Sequence, residues 1–557
     1  MKQIVTTVLF FLVIMGFSQI PQKYFVAFTD KNGTPYSINN PQAFLTQRAI
    51  DRRAAQGIAV VEEDLPVNPA YVNAVAATGV QVFTVSKWFN GVTIRVVDTA
   101  VLASIRALPY VQNILRVSSY NSKKSTVGDW KFRQEEGLNA SGGKNGSKSP
   151  NTPTSYDYGP SYNQIHMLNG DVLHNLGYRG QGKVIAVLDA GFLDADNNAT
   201  FDSLRAFSQI LGTRDFVNPG GNVYLEHYHG AAVLSTMGGN TPGELIGTAP
   251  KASYWLIRTE DANTENIVEE YNWVVGAEMA DSVGADIINS SLGYTLFDND
   301  WMDHSFADMN GHTTPSARGA NIAASKGMAL SISAGNEGGS AWITISAPSD
   351  ALDALSIGAV DEFGNYASFS SAGTVNGGFV KPNIATQGMN CYVGYPGGSF
   401  GYGSGTSFAS PINAGMMACL WQAKPNFNQS VLRMVIQQSA SQFTHPDSLL
   451  GYGIPDYSYA LLLTSAGTRG KSSCMAYPNP FTDAFKISFD GNTTGTAEIT
   501  LFSLTGDIVL RTNRLVNTEA GDSITINDLV NLAPGMYIIR ITSGNNTEYL
   551  HLVKVAK

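Results

Sequence analysis

Four short runs in the middle of the chain constrain its fold most: "KVIAVLDA" (183–190), "DIINSSLG" (286–293), "MALSISAGN" (328–336) and "ALSIGAVD" (354–361). Each is apolar without period-two alternation, and each gives way to polar residues. A strand with apolar side chains on both faces needs cover on both faces. A parallel sheet sandwiched between helices provides it. Helical stretches lie between the runs. In "TENIVEEYNWVVGAEMADSVG" (264–284), Ile267, Tyr271, Val274, Val275 and Met279 fall on one face at helical spacing. The pattern predicts an α/β domain with a central, mostly parallel sheet over 161–466.

The 557 residues are too many for one core. Residues 19–118 mix strands and helices, as expected of a small α+β domain. "QAFLTQRAIDRRAAQG" (42–57) reads as a helix ended by Gly57. "NPAYVNAVAATG" (68–79) reads as another, with Asn68 as N-cap, Pro69 at the first helical position and Gly79 beyond the end. Residues 119–160, rich in Gly, Ser, Asn and Pro, read as a linker open to processing. A short linker over 467–474 leads to 475–557, where alternating short strands predict a small all-β, sandwich-like domain. Residues 1–18 combine Lys2, an apolar stretch too short to span a bilayer and small residues near Ser18, which predicts a signal peptide. No later run predicts a transmembrane segment in the mature chain. A net charge of −10 disfavours nucleic acid as a partner. Three cysteines, Cys391, Cys419 and Cys474, are too few for a disulfide scaffold; one bridge is open to them, and Cys419 in "MMACLW" reads as a core residue.

In a parallel α/β sheet, chemistry gathers at the carboxyl ends of the strands. Asp189 ends one apolar run and Asn336 another, while Ser290 and Ser291 end a third. His229 and Ser407 stand where loops give way to helices, the latter in "GYGSGTSFASPINAG" (401–415). Singly, such residues serve most often as turn or cap residues. Together they supply a mechanism. A serine hydroxyl needs a neighbouring base, the imidazole base needs a carboxylate to set its tautomer, and the oxyanion needs preset donors. The order Asp–His–Ser along the chain is that of the subtilisin arrangement.

The motifs then resemble the subtilisin-like serine protease family (peptidase S8). "VIAVLDAGF" resembles its aspartate motif, "HGAAVLSTMGG" its histidine motif, "GTSFASP" its serine motif and "SISAGNEG" the segment carrying the oxyanion asparagine. "NSSLG" resembles the strand that pairs with substrate, and "GYGIPD" (451–456) the closing motif. The resemblance implies a subtilisin-like three-layer fold. It implies Asp189, His229 and Ser407 as triad, Asn336 as oxyanion donor, and Ser291, Leu292 and Gly293 as the substrate-binding segment. It also implies a serine endopeptidase acting on protein or peptide substrates, with no cofactor required for the chemistry. Residues 19–118 are similar to subtilisin propeptides, which implies a zymogen inhibited by its own propeptide. "YPNPF" (477–481), "LAPGMYIIRI" (532–541) and the final "VKVAK" resemble the C-terminal sorting domain of type IX secretion substrates. That implies secretion machinery as a partner, and a product released or attached to the outer cell surface.

Three positions depart from the family pattern: Ala231, Ala232 and "KPNIATQG" (381–388) in place of "KPDIxAPG". His227 is a second histidine near the motif, and Gly230 favours His229 as the base, leaving His227 to cap or line the surface. An α/β-hydrolase is the rival serine enzyme. Its G-x-S-x-G elbow is missing its second glycine here, where Ala409 stands. A catalytically inactive, peptide-binding or adhesive relative is the rival of another class. Calcium is common in the family, and Asp298–Asp303 ("DNDWMD") is acidic, but the run lacks EF-hand spacing and reads as a solvated loop.

Overall fold

The computed structural model describes residues 21–119, 156–376 and 379–463. Beyond these it describes 474–477, 481–489, 494–503, 508–517, 523–533, 535–543 and 546–554. The expected signal segment and nearly all of both expected linkers lie outside the described residues. The chain divides into two compact units, Met1–Ala460 and Leu461–Lys557.

The first unit opens with β1 (Gln22–Phe28), α1 (Gln47–Ala55), α2 (Pro69–Ala76), β2 (Gln81–Ser86), β3 (Gly91–Val96), α3 (Val101–Arg106) and β4 (Val111–Arg116). Its antiparallel sheet has the order β2-β3-β1-β4. Val26, Val75, Val92, Ile94 and Ile105 fill the core beneath it. α2 starts as its sequence predicts: Asn68 accepts from the Ala70 N–H and Pro69 follows. α1 is shorter than the 42–57 expectation. Pro41 opens a separate 3-10 turn, Phe44 is non-helical, and Thr46 caps the helix by accepting from the Ala49 N–H. The helix then ends at Ala55, with Gly57 at φ +69°.

The large sheet follows, built from β5 (Val184–Asp189), β6 (Ile210–Asp215), β7 (Ser253–Arg258), β8 (Ile287–Ser290), β9 (Ala329–Ser333), β10 (Leu355–Val360) and β11 (Ile384–Gln387). Its order is β11-β10-β9-β8-β5-β7-β6, and every neighbouring pair is parallel. Every residue of β5, β8, β9 and β10 is buried, including the serines that alternate with Leu330 and Ile332 in β9, so the sheet is covered on both faces. The covering helices are α4 (His229–Gly238), α5 (Val268–Val283), α6 (Pro315–Ser325) and α7 (Thr406–Ala423). Ile288, Leu330 and Ile332 pack with α5 and α6. On the opposite face Asn289 accepts from the Ser410 hydroxyl of α7, and the Ser331 hydroxyl donates to the Ser410 carbonyl.

α5 differs from the amphipathic expectation. Ile267 is its N-cap, outside the helix, and the polar residues Glu269, Glu270, Glu278 and Asp281 are buried along with the apolar stripe. The amino-terminal domain covers the face that would otherwise meet water: Ser86 Oγ and the backbone N–H groups of Lys87 and Trp88 all donate to the Glu278 carboxylate.

The second unit holds a three-stranded sheet (Cys474–Tyr477, Phe485–Phe489, Ser523–Ile526) and a four-stranded sheet (Thr494–Ser503, Ile508–Asn517, Gly535–Ser543, Asn546–Lys554). All pairings within both sheets are antiparallel. Ile487 and Ile524 of one sheet share a core with Ile499 and Ile539 of the other.

Candidate active site

The carboxyl ends of the parallel strands carry the polar residues singled out in the sequence. Asp189 closes β5, and His229 is the first residue of α4. Their side chains meet at 2.8 Å, Nδ1 to Oδ1, with Asp189 fully buried and His229 1% exposed. A carboxylate only accepts, so Nδ1 carries the hydrogen and the neutral ring keeps its lone pair on Nε2. The adjoining Ala190 N–H donates to the same Oδ1 at 2.7 Å, which holds the carboxylate in place.

Gly230 makes this approach possible. A Cβ there would stand 2.4 Å from the Gly191 carbonyl oxygen and 2.9 Å from Asp189 Cβ. The glycine after the histidine is thus a steric requirement, and it distinguishes His229 from His227. The His227 Nδ1 accepts the backbone N–H of His229 at 3.3 Å, the capping role expected of it.

Ser407 is the second residue of α7, after Thr406. The N-cap is Gly405, which has no side chain to cap with. The reading of Ser407 as an N-cap therefore fails on geometry. The Ser407 hydroxyl donates to the Ser291 carbonyl at 3.4 Å, and the Ser291 hydroxyl donates to the Ser407 carbonyl at 2.8 Å. This exchange ties the first turn of α7 to the chain leaving β8, so Ser291, Leu292 and Gly293 lie beside the serine. Phe408, next in α7, lies near the His229 ring with centroids 6.3 Å apart. The starts of α4 and α7 therefore converge.

Asn336 follows β9. Its Oδ1 accepts from both the backbone N–H and the hydroxyl of Thr406, each at 2.9 Å. Two donors on one edge orient the amide, because its Nδ2–H bonds must then lie on the opposite edge. The Thr406 hydroxyl also accepts the Gly335 N–H at 3.2 Å. Sequence reasoning passed over Thr406. The signal was its place directly before Ser407, where a hydroxyl can hold the asparagine amide still.

The departing "KPNIATQG" segment supports the same turn. Asn383 uses both ends of its amide, accepting from the Ser356 N–H and donating to the Val380 carbonyl, so asparagine serves where aspartate is usual. Gly388 accepts the Gly405 N–H at 2.7 Å, and a Cβ on Gly388 would reach 2.5 Å from that of Ala359.

Among the described residues, Glu260, Glu265 and Glu269 form a buried trio whose carboxylate atoms lie within 4.8 Å of one another, a donor set suited to a hard cation. In the acidic run, Asp298 accepts from the Glu265 N–H and Asp303 from the Phe297 N–H. Cys391 and Cys419 are free and buried, and burial pushes both thiols well above the ordinary range.

Residues 180–453 match the Subtilase family model, residues 23–130 the Peptidase S8 propeptide domain of Bacteroidota, and residues 475–555 the Secretion system C-terminal sorting domain. Residues 180–453 form a subtilase-family domain. The chain is similar to Subtilisin E of Bacillus subtilis (strain 168), at 28% identity over 283 residues, covering 50% of this chain and 65% of that relative. It is equally similar to the Subtilisin of Bacillus pumilus, at 28% over 283 residues, where the match covers 90% of the relative. The chain thus spans just under two thirds of the length of Subtilisin E. Overlay on the crystal structure of MycP1 from the ESX-1 type VII secretion system gives a TM-score of 0.43 at 19% identity, over 57% of this chain and 88% of that one. The subtilase domain is preceded by an α+β prodomain and followed by an all-β sorting domain.

Proposed function

We propose that this chain is an exported serine endopeptidase made as a zymogen. Ser407 Oγ attacks the scissile carbonyl carbon while His229 Nε2 takes its proton. The carbonyl oxygen becomes an oxyanion held by Asn336 Nδ2 and the Ser407 backbone N–H at the positive end of α7. Collapse of the tetrahedral intermediate breaks the peptide C–N bond, and His229 returns the proton to the leaving amine. Water, deprotonated by His229, then cleaves the acyl ester and regenerates the serine. Asp189 orients His229 and stabilises the imidazolium without itself becoming protonated. The peptide lies extended along Ser291–Gly293 and pairs by its backbone. Nucleophile, base and oxyanion donors all come from the chain, so these steps call on no cofactor. A cation at the glutamate trio or elsewhere would be structural.

The observation that carries this reading is the buried Asp189–His229 pair at the head of α4, converging with Ser407, two residues past the Gly405 N-cap, at the head of α7. Fluorophosphonate labelling tests it. The processed wild-type protein is expected to label and Ser407→Ala to stay dark. An unlabelled wild type would return the chain to the class of inactive peptide-binding relatives, and equal labelling of the variant would remove Ser407 as the nucleophile. The sorting domain supports export in two stages, across the inner membrane by the signal segment and across the outer membrane by a type IX route. Release or surface attachment would follow.

A further inference from the structure

The prodomain contacts the subtilase domain along the length of α5, through Phe25 and Phe89 on Tyr271, through Ser86–Trp88 on Glu278 and through an arm at its far end, away from the active cleft. The first of these runs along the sheet side: Phe25 packs on Tyr271 of α5, the Val268 N–H donates to the Val117 carbonyl, and the Ser119 N–H donates to Asn266. This path leads the chain toward the carboxyl ends of the strands. The arm is made by residues 29–68, inserted between β1 and α2, and contributes no strand to the prodomain sheet. It seats α1 against Gly182, Asp281, the 284–286 turn and Gly327. These residues end α5 or lead into β5, β8 and β9. They therefore mark the amino edge of the sheet, the full length of β5 away from Asp189, roughly 20 Å for six residues of strand.

The chemistry of the arm contact is unusual for a protein with few charged residues. Asp281 is fully buried and receives Arg52 at 2.6 Å, both Oδ atoms from Arg53 at 2.9 and 2.8 Å, and Lys87 Nζ at 3.0 Å. Arg53 is 1% exposed and is held in advance by Asp64 of the same arm through two bonds of 2.8 and 3.0 Å. Its fork is thus preset to meet the Asp281 carboxylate. Lys326 of the subtilase domain answers from the other side, pairing with Glu63 at 2.7 Å and Asp64 at 3.2 Å. Asp286 pairs with Arg48. The prodomain thus presents four cations against two carboxylates, while the subtilase side presents Glu278, Asp281 and Asp286 against Lys326. Among these paired groups the prodomain side is net cationic and the subtilase side net anionic, so each offsets the other. Beside the arm lies a cavity of about 420 Å³, lined by Phe44, Val67 and Val72 of the prodomain and by Val275 and Met279 of α5. Lys87 and Glu278 also line it, so the Ser86–Trp88 turn links the arm contact to the rest of the interface on α5.

We propose that the 29–68 arm, together with Lys87 of the β2–β3 turn, is a charge latch that keeps the prodomain on the subtilase domain after the linker is cut, independently of any peptide in the cleft. Removing one partner of a buried pair strands the others. Asp281→Asn should therefore weaken retention by roughly 100-fold or more. This inference rests on the zymogen reading, and its test is designed not to need proteolytic activity. The full chain carrying Ser407→Ala, with a recognition site for an added protease placed within 139–147, is nicked and passed over a sizing column. The prodomain is expected to co-elute with the subtilase domain when Asp281 is intact and to separate when Asp281→Asn is present. Arg48→Ala, which removes the partly exposed pair with Asp286, should give an intermediate loss. Unfolding of each uncut variant by heat shows whether it entered the experiment folded. Should the folded Asp281→Asn protein retain its prodomain as the parent does, the latch is overturned. Should the parent lose its prodomain on nicking, the cleft-independent grip is overturned as well, whatever fluorophosphonate labelling reports.

Discussion

A single methyl group at position 230 is expected to separate base from carboxylate. The Gly191 carbonyl and Asp189 Cβ already occupy the space a Cβ would take, and neither is the end of a flexible side chain. Gly230→Ala must push the head of α4 away from β5. A displacement near 1 Å at a catalytic group costs about 100-fold. We expect kcat to fall by roughly that factor while the protein stays folded, since overpacking costs only about 1–3 kcal/mol. Activity within threefold of wild type would show that His229 reaches Asp189 by another path. Thr406 acts one step further back, through Asn336. Thr406→Val keeps the shape but removes the hydroxyl that donates to Asn336 and accepts from Gly335. It should lower kcat about tenfold with KM little changed, because the amide then loses one of the two Thr406 donors on its Oδ1. Asn336→Ala should cost about 10²–10³-fold, the range seen for loss of such a donor in a subtilisin. Because the two act as one unit, the double variant should be no worse than Asn336→Ala alone. Additive losses in that cycle would mean that Thr406 has a separate role.

At the scale of elements, the sequence was legible where one physical signal dominated. Strands β5, β8, β9 and β10 could be read because burial on both faces leaves no charged residue before Asp189 and only small polar ones elsewhere, such as Asn289 and Ser331, which bond to α7. α2 could be read because Asn68 and Pro69 start a helix for reasons local to those residues. α1 and α5 were less legible because their limits depend on distant partners. Thr46 rather than Gln42 starts α1, and the polar face of α5 looked solvated because its partner lies nearly two hundred residues upstream. The site followed the same rule: the ends of apolar runs could be located, while the contact between Thr406 and Asn336 joins a helix start to a distant loop that nothing local links. α7 offers a test of such a long-range contact. Gly415 lies mid-helix, where alanine is intrinsically better by about 1 kcal/mol. Yet a Cβ there would stand 2.0 Å from Thr248 Oγ1 and 2.9 Å from its Cβ. Threonine is stiff at χ1 and cannot swing aside freely. Gly415→Ala should therefore destabilise the domain by about 1–3 kcal/mol despite its better propensity, seen as a lowered Tm. A raised Tm would mean that the segment around Thr248 gives way.

Across the whole subtilase domain, the same segment joins the chain that precedes β5 to the sheet's helical cover, and it does so through a histidine with no part in catalysis. His174 is fully buried. Its Nε2 donates to the Thr248 carbonyl at 2.9 Å, so its Nδ1 accepts from the Tyr158 hydroxyl at 2.8 Å. Burial disfavours the charged ring and pushes the imidazole down to about 4 from its ordinary 6.5. The sign of the effect on stability follows. Between those two values the unfolded chain binds a proton that the folded chain refuses, so acid favours unfolding. The stabilisation is complete above pH 6.5 and is lost as the pH falls toward 4, amounting to up to about 3 kcal/mol. A His174→Gln protein keeps polar reach toward Tyr158 and Thr248 but cannot titrate. Its Tm should start lower at neutral pH and fall less steeply than that of the wild type between pH 6.5 and 4. Parallel Tm profiles over that window would mean that His174 opens to water before the domain unfolds, and that the joint between the Gly170–Asn175 helix and Thr248 is not part of the cooperative core.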